Sequence, residues 1–82
     1  MSHSFDVVKD KLEEIREGDC DPYKISHAIS RMAQALMDDR EDKIIHTKLG
    51  MALSLLSAAV GQPIASHRRT AVVAALRALN RK

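Results

Sequence analysis

Aromatic residues are nearly absent from this chain, which has one Phe, one Tyr and no Trp among its 82 residues. Proteins that bind single strands or RNA stack bases on aromatic side chains, so the composition argues against such a surface. Glycine and proline are also scarce, at three and two residues, while Ala and aliphatic residues supply most of the 45% hydrophobic content. Because no alternating apolar and polar stretch is long enough for a strand, we predict an all-α protein.

Residues that carry chemistry are few and scattered. Cys20 is the single cysteine, so no internal disulfide can form, and the aspartates on either side of it disfavour a reactive thiolate. The histidines match no zinc-ligand spacing: His3, His27, His46 and His67. Neither a glycine-rich phosphate loop, nor paired catalytic carboxylates, nor a Ser–His–Asp signature is present in the sequence. We therefore expect no metal site, no cofactor and no enzymatic activity.

Membrane insertion and secretion are not indicated either. The first ten residues carry charges and lack the apolar core of a signal peptide. The most apolar segment, residues 44–60, contains His, Lys, Gly and Ser, and it is shorter than the roughly 20 apolar residues that span a bilayer. We expect a cytoplasmic protein that does not enter a membrane.

Four amphipathic segments predict a single domain over residues 1–82, built as a small bundle of helices at about 4–17, 22–38, 40–60 and 64–80. Ser4 and Gly18 suit the N-cap and C′ positions of the first helix, and Asp21 before Pro22 suits the start of the second. Each of these two helices has one apolar stripe, formed by Phe5, Val8, Leu12 and Ile15 in the first and by Ile25, Ile29, Met32 and Leu36 in the second.

The third helix is predicted to be central because it is apolar over more than half of its circumference. One stripe comprises Ile45, Leu49, Ala52, Leu53, Leu56 and Val60, and a second comprises Ile44, Met51, Leu55 and Ala58. A helix that is apolar nearly all round is normally buried nearly all round, so we expect a second subunit to share this core in a homodimer. A seam of small residues, Gly50, Ser54 and Ser57, beside Met51 and Leu55, is the expected site of a close helix approach or of an oligomer contact.

Charge is distributed unevenly. Residues 1–65 hold eight Lys and Arg against eleven Asp and Glu, a net charge of −3, whereas residues 66–82 hold five cations and no acid, a net charge of +5. The basic region forms a fourth helix and tail whose candidate anion-binding or partner-binding residues are Ser66, His67, Arg68, Arg69, Arg77, Arg81 and Lys82. If Ser66 caps this helix, Arg68 and Arg69 lie in its first turn, where cations oppose the helix dipole and could serve a bound anion.

Three interpretations of the basic region stay open at this stage. It could contact nucleic acid, with residues 49–80 as a weak match to a helix-turn-helix, or it could bind an acidic protein. In the third interpretation its cations only neutralise the chain itself, with Arg68 and Arg69 at the C-terminal end of the third helix and the remaining cations near the acids of residues 38–42.

The sequence therefore favours a small non-catalytic regulator or adaptor that binds another protein and forms a homo-oligomer. A nucleic-acid-binding regulator that uses the basic C-terminal helix is the alternative.

Overall fold

Four α-helices make up the computed structural model, which describes residues 3–38 and 42–81. They are α1 (His3–Glu17), α2 (Pro22–Asp38), α3 (Lys43–Ser57) and α4 (Ala65–Leu79). The predicted all-α bundle of four helices is confirmed.

The helices are arranged as a ring in which each one packs against two neighbours. Contacts join α1 to α2, α2 to α3, α3 to α4, and α4 back to α1. Short connections make consecutive helices antiparallel, as in an up-down-up-down bundle. Because α3 has the same number of neighbours as the other helices, it is a member of the ring and not its centre.

The core lies along the axis of the ring and receives side chains from all four helices. The predicted stripes of α1 and α2 face it, with Phe5, Ile29 and Leu36 at its margin. Its largest fully buried side chains are Val8, Leu12, Cys20, Ile25, Met32, Leu49, Leu56, Val72 and Leu79. Aliphatic packing of this kind supplies most of the stability of a small domain, since burial contributes about 25 cal/mol for each Å² of apolar surface.

The single chain does not bury α3 on nearly all sides, and the expected burial of its second stripe by a second subunit stays a prediction. The first stripe is directed inward, with Leu49, Ala52 and Leu56 buried and Ile45 and Leu53 packed at the edge of the core. The second stripe faces outward: Ile44 is 70% exposed, Met51 42% and Leu55 40%. Two neighbouring helices cover only one side of a helix, so a chain with four helices in a ring cannot cover both stripes.

The ends of α3 differ from the prediction for identifiable reasons. Asp42 is the N-cap, and its carboxylate accepts the N–H groups of Ile44 and Ile45, each at 3.1 Å. Residues 40 and 41, where the predicted start falls, lie outside the described residues. At the other end the helix stops at Ser57, not at Val60, and the chain tightens into turns in which Val60 N–H donates to the carbonyl of Ser57 at 3.2 Å.

Ser66 is not the N-cap of α4, contrary to the expectation. The cap position is occupied by Ile64, which is extended and forms no side-chain cap hydrogen bond, so Ser66 is the second residue of the helix. At the end of α1, Gly18 follows the helix as predicted, but the residue with the left-handed backbone is Cys20, at φ 54°. Its Sγ is buried and donates to the carbonyl of Ile15 at 3.5 Å. The turn after α1 therefore depends on a buried non-glycine residue.

Substitution of Gly50 tests whether the small-residue seam packs against anything. A Cβ added at Gly50 would meet no atom within 4 Å, so no other helix of this chain approaches it closely. Gly50→Ala is therefore expected to stabilise the protein by about 0.5–1 kcal/mol, because alanine restricts the unfolded chain and favours the helix. Thermal or urea unfolding checks this value. Destabilisation by the substitution would mean that another chain packs closely on Gly50.

Candidate functional site

The outward stripe of α3 forms one wall of a shallow groove. This wall contains Ile44, Met51, Leu55 and Ala58, which recur at helical spacing along the whole exposed face of the helix. The opposite wall belongs to α4, and its apolar side chains are small, those of Ala71, Ala74 and Ala78. We refer to these seven residues as the α3–α4 groove.

The two helices follow the groove side by side in opposite directions. Leu55 lies beside Ala74, and Met51 lies beside Ala78, so the α3 number falls as the α4 number rises. The alanines of α4 thus form one side of a surface groove. The lack of large apolar side chains on the α4 side keeps the centre of the groove open to a partner.

Cations border the part of the groove that lies around Met51 and Ala78. The same depressions as Met51 and Ala78 are lined by Arg77 of α4, by Arg81 just beyond its end, and by Lys43 and Lys48 of α3. We refer to these four residues as the basic rim. The described residues that line the groove include no Asp or Glu. The surface therefore combines an apolar centre with positive edges, which is the composition of a recognition surface for a partially acidic, partially apolar ligand.

Arg68 and Arg69 do not belong to this groove, because both side chains reach to the neighbouring connections of the bundle. Arg68 Nε donates to the carbonyl of Cys20 at 2.9 Å, and one of its terminal nitrogens donates to the carbonyl of Gln62 at 2.8 Å. Arg69 donates to the carbonyl of Gly18. These bonds tie the α1–α2 turn to the α3–α4 connection at one end of the ring.

The position of these two arginines explains why cations lie in the first turn of α4. The antiparallel packing of α4 on α1 places this turn beside the C-terminal end of α1, whose last carbonyls have no partner within the helix. Cationic donors are favourable there because the end of a helix carries a partial negative charge. The relevant helix end is thus that of α1, whereas the sequence pointed to the end of α3.

The other candidate residues are dispersed at the same end of the protein or along α3. Ser66 is exposed, and its carbonyl accepts the hydroxyl of Thr70 at 3.0 Å. His67 lies at the edge of the α3–α4 groove beside Gln62. Lys82 lies outside the described residues. The structure brings Met51, Leu55, Arg77 and Arg81 together in one depression. Ser66 and Arg69 line a neighbouring depression that also includes Arg77, and Arg68 lines neither of the two.

The small-residue seam of α3 lies beside the groove and not in it. Ser54 and Ser57 are exposed, and the hydroxyl of Ser57 donates to the carbonyl of Leu53 at 2.8 Å, which is a local contact within the helix. Together with the open space around Gly50, this leaves the seam without a close helix neighbour in the described part of the chain. A role in oligomer contact stays a prediction.

A second concave region lies between α1 and α2, and its composition differs. It is lined by Val7 and Val8 together with the polar side chains of His27, Ser30, Arg31 and Gln34. The ring of His27 packs edge-on against Tyr23, with centroids 4.8 Å apart. Within residues 3–38 and 42–81, no three His, Cys, Asp or Glu side chains lie close enough together to hold a metal ion.

Lys43 and Lys48 are members of the basic rim that the sequence analysis missed. Lys48 follows Ile44 by four residues, so it lies on the same face of α3 as the outward stripe, and this spacing could have identified it. It is half-buried, which is typical of a lysine whose aliphatic stem lies along apolar surface while its ammonium stays in water. For Lys43 the sequence gives no comparable indication, because helical spacing places it at the edge of the outward stripe and not within it.

Among the described residues, no helix combines the length and the apolar character required to cross a bilayer. Comparison of this chain with protein-family models, with curated proteins and with solved structures finds no match.

Proposed function

We propose that this protein is a non-catalytic regulator or adaptor that acts by binding protein through the α3–α4 groove. The observation that carries the proposal is the row of exposed apolar side chains on α3, formed by Ile44, Met51 and Leu55. Contiguous apolar surface bordered by charges is typical of protein-interaction sites on soluble domains. Apolar grooves between helices are also common binding sites for an amphipathic helix of a partner protein.

Self-association is the second part of the proposal and uses the same surface. Two copies that meet groove to groove bury both outward stripes, but they also bring the basic rims close to each other. Like charges at an interface weaken association, and salt screens them because the Debye length falls from about 10 Å at 0.1 M to about 3 Å at 1 M. The homo-oligomer is therefore expected to be weak and to become more stable as salt is added.

Sedimentation velocity over a range of protein concentrations, at low and high salt, tests both parts. Met51→Gln removes apolar surface from the groove without changing charge, and Met37→Gln is its matched control because Met37 is exposed on α2, outside the groove. We expect a concentration-dependent increase in mass that is greater at high salt, lost in the Met51 variant and kept in the Met37 variant. A monomer under all conditions would contradict self-association, and equal effects of the two substitutions would contradict the groove as its surface.

The nucleic-acid alternative remains a prediction without an observation in its favour. Helix-turn-helix motifs hold their two helices at about 90–120°, so that the second projects into the major groove. In this chain α3 and α4 lie side by side, and Val72, Ala75, Leu76 and Leu79 of α4 are buried in the core. Two of the proposed contact residues, Arg68 and Arg69, are engaged by carbonyls of the chain itself.

A further inference from the structure

We infer that the ligand of the α3–α4 groove is an acidic amphipathic helix of a partner protein, an inference that rests on the function proposed above. The groove suits a helix in shape. Its outward stripe runs from Ile44 to Ala58, a length of about 21 Å at 1.5 Å per residue, which matches about four turns of a second helix. The small side chains of Ala74 and Ala78 allow that helix to approach within the usual interaxial distance of about 8–10 Å.

The charge of the groove specifies an acidic ligand. Arg77 lies on α4 and Arg81 lies two residues beyond its end, and both are exposed and line the same depression. Within residues 3–38 and 42–81, neither side chain forms a hydrogen bond or an ion pair, although the backbone N–H of Arg81 donates to the carbonyl of Ala78. Lys48 adds a third cation on the α3 wall. Asp42 is the described acid nearest in sequence to Arg77 and Arg81, and its carboxylate caps α3 by accepting the N–H groups of Ile44 and Ile45. Among the described residues, no Asp or Glu lines the depressions that hold these cations, so they can face carboxylates placed along the flanks of an apolar stripe.

A second copy of this chain fits the groove less well than such a helix. Among the described helices, only α3 has a row of exposed large apolar side chains, and this row is the one in the groove. Because the basic rim borders it, pairing of two copies groove to groove would bring like charges together. The solvent face of α1 has acids, including Glu13, Glu14 and Glu17, but no exposed apolar row to fill the groove. An acidic amphipathic helix satisfies both the apolar centre and the basic rim.

The test uses three labelled synthetic peptides of about 16 residues, long enough to follow the groove. The first has leucines at helical spacing i, i+3, i+7 and i+11 with glutamates between them, the second replaces every glutamate by lysine, and the third has the composition of the first in scrambled order. In fluorescence anisotropy at low salt, we expect the glutamate peptide to bind at least about tenfold more tightly than either of the others. Its affinity should fall as salt increases, which is opposite to the trend expected for self-association.

Paired variants identify the residues responsible. Arg77→Gln with Arg81→Gln should weaken the glutamate peptide about tenfold or more, whereas Arg16→Gln with Arg31→Gln, which removes the same charge from α1 and α2, should change its affinity less than about twofold. Met51→Gln should also weaken binding, and Met37→Gln should not. Circular dichroism spectra confirm that each variant is folded before it is titrated.

The outcomes separate this inference from the proposed function. If the glutamate and lysine peptides bind equally well and the Met51→Gln variant binds neither, the preference for an acidic ligand is overturned, but the groove is still a protein-binding surface. Failure of all three peptides to bind would overturn both. Tighter binding of a DNA duplex than of the glutamate peptide, with dependence on Arg77 and Arg81, would overturn both in favour of nucleic acid.

Discussion

Leu56→Ala is expected to destabilise the protein by about 3 kcal/mol, whereas Leu55→Ala should cost less than about 0.5 kcal/mol. The two leucines are adjacent in sequence and identical in chemistry, but Leu56 is fully buried and Leu55 is 40% exposed. Truncation of a buried leucine removes its transfer free energy and leaves a cavity in the core. Truncation at the groove removes surface that already contacts water, and alanine has the higher helix propensity.

Urea unfolding of the two variants measures this difference directly. A loss of about 3 kcal/mol is a large part of the roughly 4–12 kcal/mol expected for a domain of this size. Similar losses for both variants would mean that Leu55 is also covered, either by a different arrangement of the helices or by a stable second subunit. Repetition of the Leu55 measurement at several protein concentrations separates these two cases, since only the second depends on concentration.

Arg68→Ala is the second substitution with a large expected effect, a loss of about 2 kcal/mol. The half-buried guanidinium donates to the carbonyls of Cys20 and Gln62 and thereby joins two connections that are far apart in sequence. A hydrogen bond from a charged donor contributes about 1.5–3 kcal/mol, and partial exposure reduces the sum of the two bonds. Removal of the side chain leaves both carbonyls dependent on water.

Arg69→Ala is the matched control, because Arg69 is exposed and donates to one carbonyl, that of Gly18. Its loss should cost less than about 1 kcal/mol. Arg68→Lys should recover only part of the stability, since one ammonium group lacks the spread of donors with which a guanidinium contacts two carbonyls. An Arg68→Ala variant as stable as the wild type would show that the arginine is not a structural link and would return it to the set of candidate ligand-binding residues.

Periodicity was sufficient to predict α1 and α2 because each has a single apolar stripe that must face the core. Both helices end where Gly18 and Asp38 were expected to end them, and Val8, Leu12, Ile25 and Met32 are buried as predicted. The pattern of α3 was ambiguous for a physical reason. A second apolar stripe indicates surface that favours burial, but it does not indicate whether the same chain or another molecule covers it.

The roles of the arginines depended on tertiary structure and could not be obtained from local sequence. The rule that cations are unfavourable in the first turn of a helix correctly marked Arg68 and Arg69 as unusual. Which helix end lies beside them is decided by the closure of the ring between α4 and α1, through contacts separated by about fifty positions. Likewise, the left-handed residue after α1 is Cys20 because its side chain is needed in the core, although Gly18 has the more permissive backbone.

Binding of an acidic amphipathic helix in the α3–α4 groove can be observed residue by residue when the ¹⁵N-labelled protein is titrated with the glutamate peptide. We expect the amide signals of Met51, Leu55 and Ala74 to shift in proportion to occupancy, while those of Val8 and Gln34, in the concave region between α1 and α2, stay in place. Shifts confined to the α1–α2 region, or an unchanged spectrum at saturating peptide, would contradict binding in the groove.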